Sequence, residues 1–362
     1  MNKQQLITEL QSHGLKLIDH DLGAAGRKGG AGPSDHKAVT VDGTTVMVPT
    51  FNSPAAQSPY TVNISSSGEQ MVLELHGEAI SSIDFPHQPK FYSLNTADGI
   101  PYWKIALLHS RDVLATTVLQ TCIRYGDTAT SCQFCAIGQS LEAGRTIARK
   151  TPAQLAEVAE AAVRLDGVKH MVMTTGTPNT SDRGADYLTE CAKAIIARVN
   201  LPIQAQCEPP DVFLWFERMK AAGIVSLGMH LEAVDPQVRA KIMPGKAMVP
   251  VEYYFKAFAA AVNVFGRGQV STYLLAGLGD SLETLLDVCD RLIQIGVYPF
   301  VVPFVPITGT PLANHPAPES EFMFALYERV GATLKRAGMS SKEIKAGCAK
   351  CGACSALSSF EK

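Results

Sequence analysis

Apolar and polar positions follow two rhythms along the chain. From Lys37 to Leu108 they alternate in short stretches, first Val39, Val41, Val46 and Val48, then Val72, Leu73 and Leu75. Gly, Pro, Asn and Ser break the pattern repeatedly. Period-two alternation with frequent turn residues predicts short strands and a small β-rich domain. Ahead of it, Leu6, Ile7 and Leu10 share one face of a short helix that Gly14 can end. The glycine-rich stretch Gly23–Pro33 lacks the strand, GxGxxG and helix context of a dinucleotide site. It reads as a flexible loop, or as a lid whose amides and Arg27 or Lys28 close on a ligand.

After about Val113 the pattern changes to strands alternating with helices. Strands are expected at Leu114–Gln120, His170–Thr175, Ile203–Cys207, Val225–Leu231, Val270–Ala276 and Phe300–Val305. Thr151-Pro152 opens a helix with an N-cap and a proline at the first helical position. Further helices are expected at Ala185–Arg198, at Val212–Ala222, after Asp235-Pro236, and after Asp280, which with Glu283 can form a capping box. Six strands with crossover helices imply a parallel α/β sheet. Six units are too few for an eight-unit barrel, so a partial barrel is expected. Phe322–Arg336 reads as one more helix, leading to a loose tail. The expected domains are residues 1–112, 113–315 and 316–362.

Composition narrows the function. The 362 residues are 46% hydrophobic, enough for a sizeable core, and the net charge is -2. That balance gives no electrostatic case for nucleic acid or an acidic membrane surface. The longest nearly apolar run, Gly296–Ile307, is short and proline-rich, so no membrane span is expected. No basic region followed by an apolar stretch opens the chain, and the cytoplasm is the default expectation.

Nine cysteines divide into two triplets and three single residues. Cys191 and Cys289 lie on apolar helix faces, and Cys207 alternates away from a polar strand face, so these three read as core. The first triplet is Cys122-Ile-Arg-Tyr-Gly-Asp-Thr-Ala-Thr-Ser-Cys132-Gln-Phe-Cys135. It follows the first barrel strand and so belongs at the C-terminal mouth of the sheet, where parallel α/β folds place active sites. Three thiolates can hold three corners of a [4Fe–4S] cube and leave the fourth iron open. The alternative is zinc, which prefers four ligands, usually as two close pairs. Phe134 can shield such a cluster from water.

This loop resembles that of the radical S-adenosylmethionine (SAM) superfamily, in which three cysteines follow the first strand of a partial (β/α)6 barrel. The usual spacing is CxxxCxxC; here nine residues separate the first two cysteines, while the CxxC half fits. Other segments fall in the family's order. Met173-Thr-Thr-Gly-Thr-Pro178 ends the second strand, where the resemblance implies that Thr175, Gly176 and Thr177 hold the SAM amino group. Gln204, Gln206 and Glu208 form a polar strand face, with Glu208 placed for the SAM ribose or amino group. His230 and Glu232 give the next strand a similar face, and Arg239 follows. Leu275-Ala-Gly-Leu-Gly-Asp280, with Gly277, looks like the family's fifth-strand glycine motif. Val302-Pro303 and the residues after them resemble the sixth-strand region of biotin synthase and lipoyl synthase relatives, which packs the adenine. The likeness covers about residues 114–315, and the nearest resemblance is to a divergent family encoded beside nitrilase genes. Each supporting residue also has a plainer reading: His230 as an interior histidine, Glu208 as a helix cap after Pro209-Pro210, Arg239 as a surface partner of Asp235.

The second triplet, Cys348-Ala-Lys-Cys351-Gly-Ala-Cys354, matches half of a ferredoxin-type motif. It reads as a second iron–sulfur cluster whose fourth ligand is Ser355, Ser358, Ser359 or a substrate; the alternative is a structural zinc. The preceding helix is expected to carry it back across the cavity mouth. The resemblance implies a radical SAM enzyme with a [4Fe–4S] cluster and SAM as cofactors. It further implies a reductant such as flavodoxin or ferredoxin, and hydrogen abstraction from a small-molecule substrate. A non-catalytic iron–sulfur or zinc scaffold is the other reading.

Overall fold

The computed structural model describes residues 1–17, 36–51, 53–64 and 71–361. The glycine-rich stretch Gly23–Pro33, with Arg27 and Lys28, lies outside them.

Six strands come first: β1 (Lys16–Leu17), β2 (His36–Val41), β3 (Thr44–Pro49), β4 (Tyr60–Ile64), β5 (Met71–Leu75) and β6 (Glu78–Asp84). They form one sheet in the order β1-β4-β5-β6-β2-β3. Two tight hairpins set its register. Asp42-Gly43 and His76-Gly77 all take positive φ, as two-residue turns matching the strand twist require.

The second sheet contains β7 (Leu107–His109), β8 (Val113–Thr117), β9 (His170–Thr174), β10 (Ile203–Gln206), β11 (Ile224–Gly228), β12 (Val270–Ala276) and β13 (Val297–Pro303). Its spatial order follows the chain; β7 is antiparallel to β8, and the remaining pairs are parallel. Each strand from β8 onward is followed by a helix, and Gly167 ends the Pro152–Asp166 helix between β8 and β9 in the left-handed conformation. Thr151 caps that helix by accepting from Gln154 N, with Pro152 first inside, as the sequence predicts.

Ala115 and Thr117 of β8, Val172 and Thr174 of β9, Gln206 of β10, Tyr273 and Leu275 of β12 and Val302 of β13 all line one cavity. Residues two apart share a strand face. A flat sheet cannot present five strands to one enclosed space, so this sheet curls into an α/β half-barrel. A continuous core joins both sheets and the tail, from Leu6 and Val39 through Met171 and Leu227 to Leu357.

Two local expectations change. The helix after β12 is capped by Ser281, whose hydroxyl accepts from Thr284 N, not by Asp280. The Asp280 carboxylate instead accepts from Val234 N at 2.9 Å and Asp235 N at 2.7 Å, tying the β11 loop to the β12 loop.

The tail is not loose. Ala349, Ala353 and Leu357 are fully buried. Phe360 packs on Phe324 and Tyr327, and Glu361 accepts from Tyr298, Ser340 and Ser341. It also enters from the end opposite the mouth. Gly347 N donates to His170 Nδ1, at the first residue of β9, and Cys348 N donates to Gln204 near the start of β10. Met47 N and Gln11 Nε2 both donate to Ala353 O, so the N-terminal elements clamp the tail in place.

Candidate active site

The cysteine loop is built by backbone ties to every neighbour. Ile123 N donates to Thr177 O, Gln133 N to Ile242 O, and Gly245 N to Thr130 O. Cys122, Cys132 and Cys135 consequently face one cavity of about 400 Å³ at the C-terminal ends of the strands. Burial raises the Cys132 thiol well above its usual range and pushes Cys135 up to about 11. A cationic metal reverses that, since coordination removes the thiol proton. Among the described residues no three His, Cys, Asp or Glu side chains stand close enough to hold one metal ion. A cube spreads its thiolates over separate irons, whereas a single zinc draws its ligands to about 2.3 Å. Three soft thiol donors facing one space are the ligand set that a [4Fe–4S] cube with one open iron takes. Phe134 packs with Phe304, Leu275 and Leu312 on the adjoining apolar wall.

Two ion pairs flank the thiols. Arg124, two residues after Cys122, bonds to Glu208 Oε1, which also accepts from Thr177 Oγ1 at 2.6 Å. Burial alone would raise the Glu208 pKa, but the Arg124 hydrogen bond and the nearby Lys246 charge hold it below the usual carboxylate range. Its Oε2 is buried with no hydrogen-bond partner. A buried charged oxygen left bare is costly, so this atom is poised for a donor from a ligand. Lys246 Nζ lies 2.7 Å from Glu232 Oε2. Burial favours the neutral amine, yet Glu232 with Tyr254 and Glu208 keeps Lys246 charged, above its ordinary range. Glu232 itself sits at φ +65, a strained conformation for a non-glycine residue that turns its carboxylate to the cavity. Beyond the pairs, His230 meets the Tyr273 ring edge-on at 4.6 Å, and burial lowers its pKa to about 3, so it is neutral.

Cys348 and Cys354 line the opposite end of the same cavity. Gln206 Nε2 donates to Cys348 Sγ at 3.2 Å and to Gln204 Oε1 at 2.7 Å. Cys351 turns out of the cavity lining; burial pushes its thiol up to about 12, and Ser110 faces it. A second chamber of about 830 Å³ shares His109, Ala115 and Thr117 with the first and opens beside β7 and β8.

The cavity brings together Cys122, Cys132, Cys135, Thr175, Gly176, Thr177, Glu208, His230, Glu232, Val302, Pro303, Cys348 and Cys354. It does not bring Arg239 or Gly277. Arg239 is buried, spending its guanidinium on the carbonyls of Leu231, Ala233 and Val249; it neither reaches the cavity nor pairs with Asp235 on the surface. Gly277 accepts from or donates toward nothing in the cavity: its carbonyl meets His315 Nε2 at 2.8 Å and its Cα faces Pro318. Glu208 does not cap a helix. Cys191 and Cys289 are buried core as expected, while Cys207 both joins the core and touches the cavity. Arg124, Lys246 and Tyr273 were not singled out by the sequence reading. Arg124 had a signal, its place inside the cysteine motif; Lys246, after Pro244-Gly245, had none.

Gly176 shows how tightly loop and strand are fitted. A Cβ there would lie 2.1 Å from Thr121 O and 2.9 Å from Ile137 Cδ1. Gly176→Ala therefore pushes on the residue preceding Cys122. It is expected to lower stability by about 1–3 kcal/mol, the usual range for overpacking, and to reduce iron retention. Unchanged melting and iron content in that variant would show that the loop yields freely.

Residues 128–292 match the Radical SAM superfamily model. The chain is 25% identical over 296 residues to bacteriochlorophyllide c C-7(1)-hydroxylase of Chlorobaculum limnaeum, covering 76% of this chain and 73% of that protein. Among solved structures, methylornithine synthase aligns with a TM-score of 0.48 and 16% identity over 65% of this chain and 66% of that one. A radical SAM methyltransferase from Sphaerobacter thermophilus aligns with a TM-score of 0.47 and 17% identity over 83% and 81%.

Proposed function

We propose that this chain is a radical SAM enzyme, as its match to that family's model and its likeness to a hydroxylase support, and that Cys122, Cys132 and Cys135 hold its [4Fe–4S] cluster. The two ion pairs beside them seat SAM, and the substrate lies between this end of the cavity and the tail. The observation that carries the reading is one cavity lined at one end by three thiols and next to them by the buried, half-satisfied Glu208. When bound, the cluster supplies the electron that cleaves SAM to methionine and a 5′-deoxyadenosyl radical, which takes a hydrogen atom from the substrate.

The chain's own residues bind, orient and exclude water. SAM carries a carboxylate, an ammonium, two ribose hydroxyls and a flat base. Glu208 Oε2 accepts from a ribose hydroxyl or the ammonium, with Arg124 and Thr177 fixing its orientation. Lys246 and Glu232 offer one charge of each sign to the amino-acid end. Val302, Pro303 and Phe304 give the adenine an apolar wall. Neutral His230 and the Tyr273 ring bound the substrate side without bringing a second charge into a space where charge is costly. In this reading the six parallel strands from β8 to β13, with their following helices, are the (β/α)6 half-barrel, the first sheet is its N-terminal unit, and the segment after the Ser320–Arg336 helix closes its floor. The likeness to a hydroxylase acting at carbon supports a C–H bond of an organic molecule as the target, and the chamber beside β7 and β8 gives such a molecule a route in. The tail triplet holds a second iron–sulfur cluster, and a flavodoxin- or ferredoxin-type donor supplies electrons.

Anaerobic protein reconstituted with iron and sulfide, then given dithionite and SAM, is expected to release 5′-deoxyadenosine and methionine in equal amounts. A protein that fills with about four irons per site yet leaves SAM intact would be a cluster-binding scaffold instead.

A further inference from the structure

Three cysteines in the tail leave one corner of a cube without a protein ligand, and the structure offers a candidate that the sequence did not. Two of the three serines nearest in sequence, Ser355 and Ser359, are already engaged, and Ser358 stands beside Gly352. Ser355 Oγ donates to Val301 O at 2.5 Å and accepts from Leu357 N, and Ser359 Oγ donates to Ala356 O at 2.7 Å. His109, the last residue of β7, is buried with Nε2 3.5 Å from Cys354 Sγ, the one imidazole that the described contacts place against a tail sulfur.

The position of His109 is fixed by the fold. It pairs with Val113 across the β7–β8 hairpin, and Ser110 takes φ +59 in the turn between. The same turn brings Ser110 to Cys351. On the far side, Gln206 holds Cys348 and the Tyr273 hydroxyl faces it. Three separate elements, β7, β10 and β12, thus enclose the tail's sulfurs at the closed end of the half-barrel. Imidazole is a recognised iron ligand and replaces thiolate in some iron–sulfur centres.

We infer that His109 is the fourth ligand of the tail's metal centre, completing a Cys348, Cys351, Cys354 and His109 set for an iron–sulfur cluster. The inference rests on the reading above that the tail binds such a cluster. With four protein ligands no iron in the tail centre stays open to a substrate heteroatom, so the open iron of this enzyme belongs to the Cys122, Cys132 and Cys135 site alone. Replacing one thiolate by a neutral imidazole also raises the reduction potential of the centre, as in histidine-ligated clusters generally.

The test uses full-length protein carrying alanine at Cys122, Cys132 and Cys135, so that only the tail can hold iron. Reconstituted anaerobically, it is expected to contain about four irons and four sulfides. When reduced, it should show nitrogen hyperfine coupling in pulsed electron-spin spectra that changes on 15N-histidine labelling. His109→Ala should lose that coupling and about one iron. His109→Cys should keep the iron and lose the coupling, which separates ligation from a folding defect. Nitrogen coupling that survives in His109→Cys, or a full tail cluster without any, overturns the inference and leaves the tail-cluster reading standing. A tail that takes zinc, or no metal, overturns both.

Discussion

Alanine at Cys122, Cys132 or Cys135 is expected to reduce 5′-deoxyadenosine formation to background and to remove about four irons per chain. The three thiols reach one end of the cavity from a loop tied by its backbone to Thr177, Ile242 and Gly245. Cys191 and Cys289 are fully buried among apolar helix side chains. Alanine there should cost stability on the order of 1 kcal/mol and leave iron untouched. Iron and sulfide analysis beside a chromatographic assay for 5′-deoxyadenosine checks both halves. Full SAM cleavage by any of the three variants would remove this loop from the chemistry.

Glu208→Gln and Glu208→Ala should keep the iron and weaken SAM binding by about ten- to a hundredfold, the equivalent of about 1.5–3 kcal/mol for a hydrogen bond to a charged group. Both variants also unpair Arg124, which is largely buried. Breaking a buried pair by removing one partner costs about 3–5 kcal/mol, so Glu208→Ala should melt markedly lower. Glu208→Gln keeps the shape and the Thr177 contact and separates binding from folding. Calorimetric titration with SAM under anaerobic conditions reads the effect. Wild-type affinity in both variants would place SAM elsewhere in the cavity.

Much of this architecture was legible because parallel strands buried on both faces announce themselves as apolar runs. Val270–Ala276 and Ala185–Arg198 match their expected bounds. The last strand begins at Val297, earlier than expected, because Pro299 inside an apolar run argues against a strand; here it pairs with Thr272 near the sheet edge and is tolerated. The polar strand faces were legible too, since Gln204, Gln206 and Glu208 alternate with apolar residues and the curl of the sheet turns them inward. What escaped depended on distant partners. The tail is rich in Ala, Gly, Ser and Cys and has no period, yet His170, Gln204, Met47 and Gln11 bind its backbone. Arg239 resembles a solvated helix residue until four backbone carbonyls of neighbouring loops surround it. Lys246 lies in a short helical turn that local sequence reads as surface, and only its approach to Glu232 makes it part of the site. His109, at the end of a three-residue strand, becomes notable only once Cys354 is placed beside it.

The two thiol groups stand at opposite ends of one cavity, with Gln206, His230 and Tyr273 between them. The Cys122, Cys132 and Cys135 thiols and the charged pairs sit where the strands end, while the buried tail closes the other end of the cavity.

The most direct test of the central claim is the electron-spin spectrum of reduced full-length protein with alanine at Cys348, Cys351 and Cys354, recorded with and without SAM. Only the Cys122, Cys132 and Cys135 cluster can contribute to it. The account predicts a [4Fe–4S] signal whose shape changes when SAM is added, with hyperfine coupling to 15N from SAM labelled at the amino group. A fully loaded, reduced cluster whose spectrum SAM leaves unchanged would contradict it.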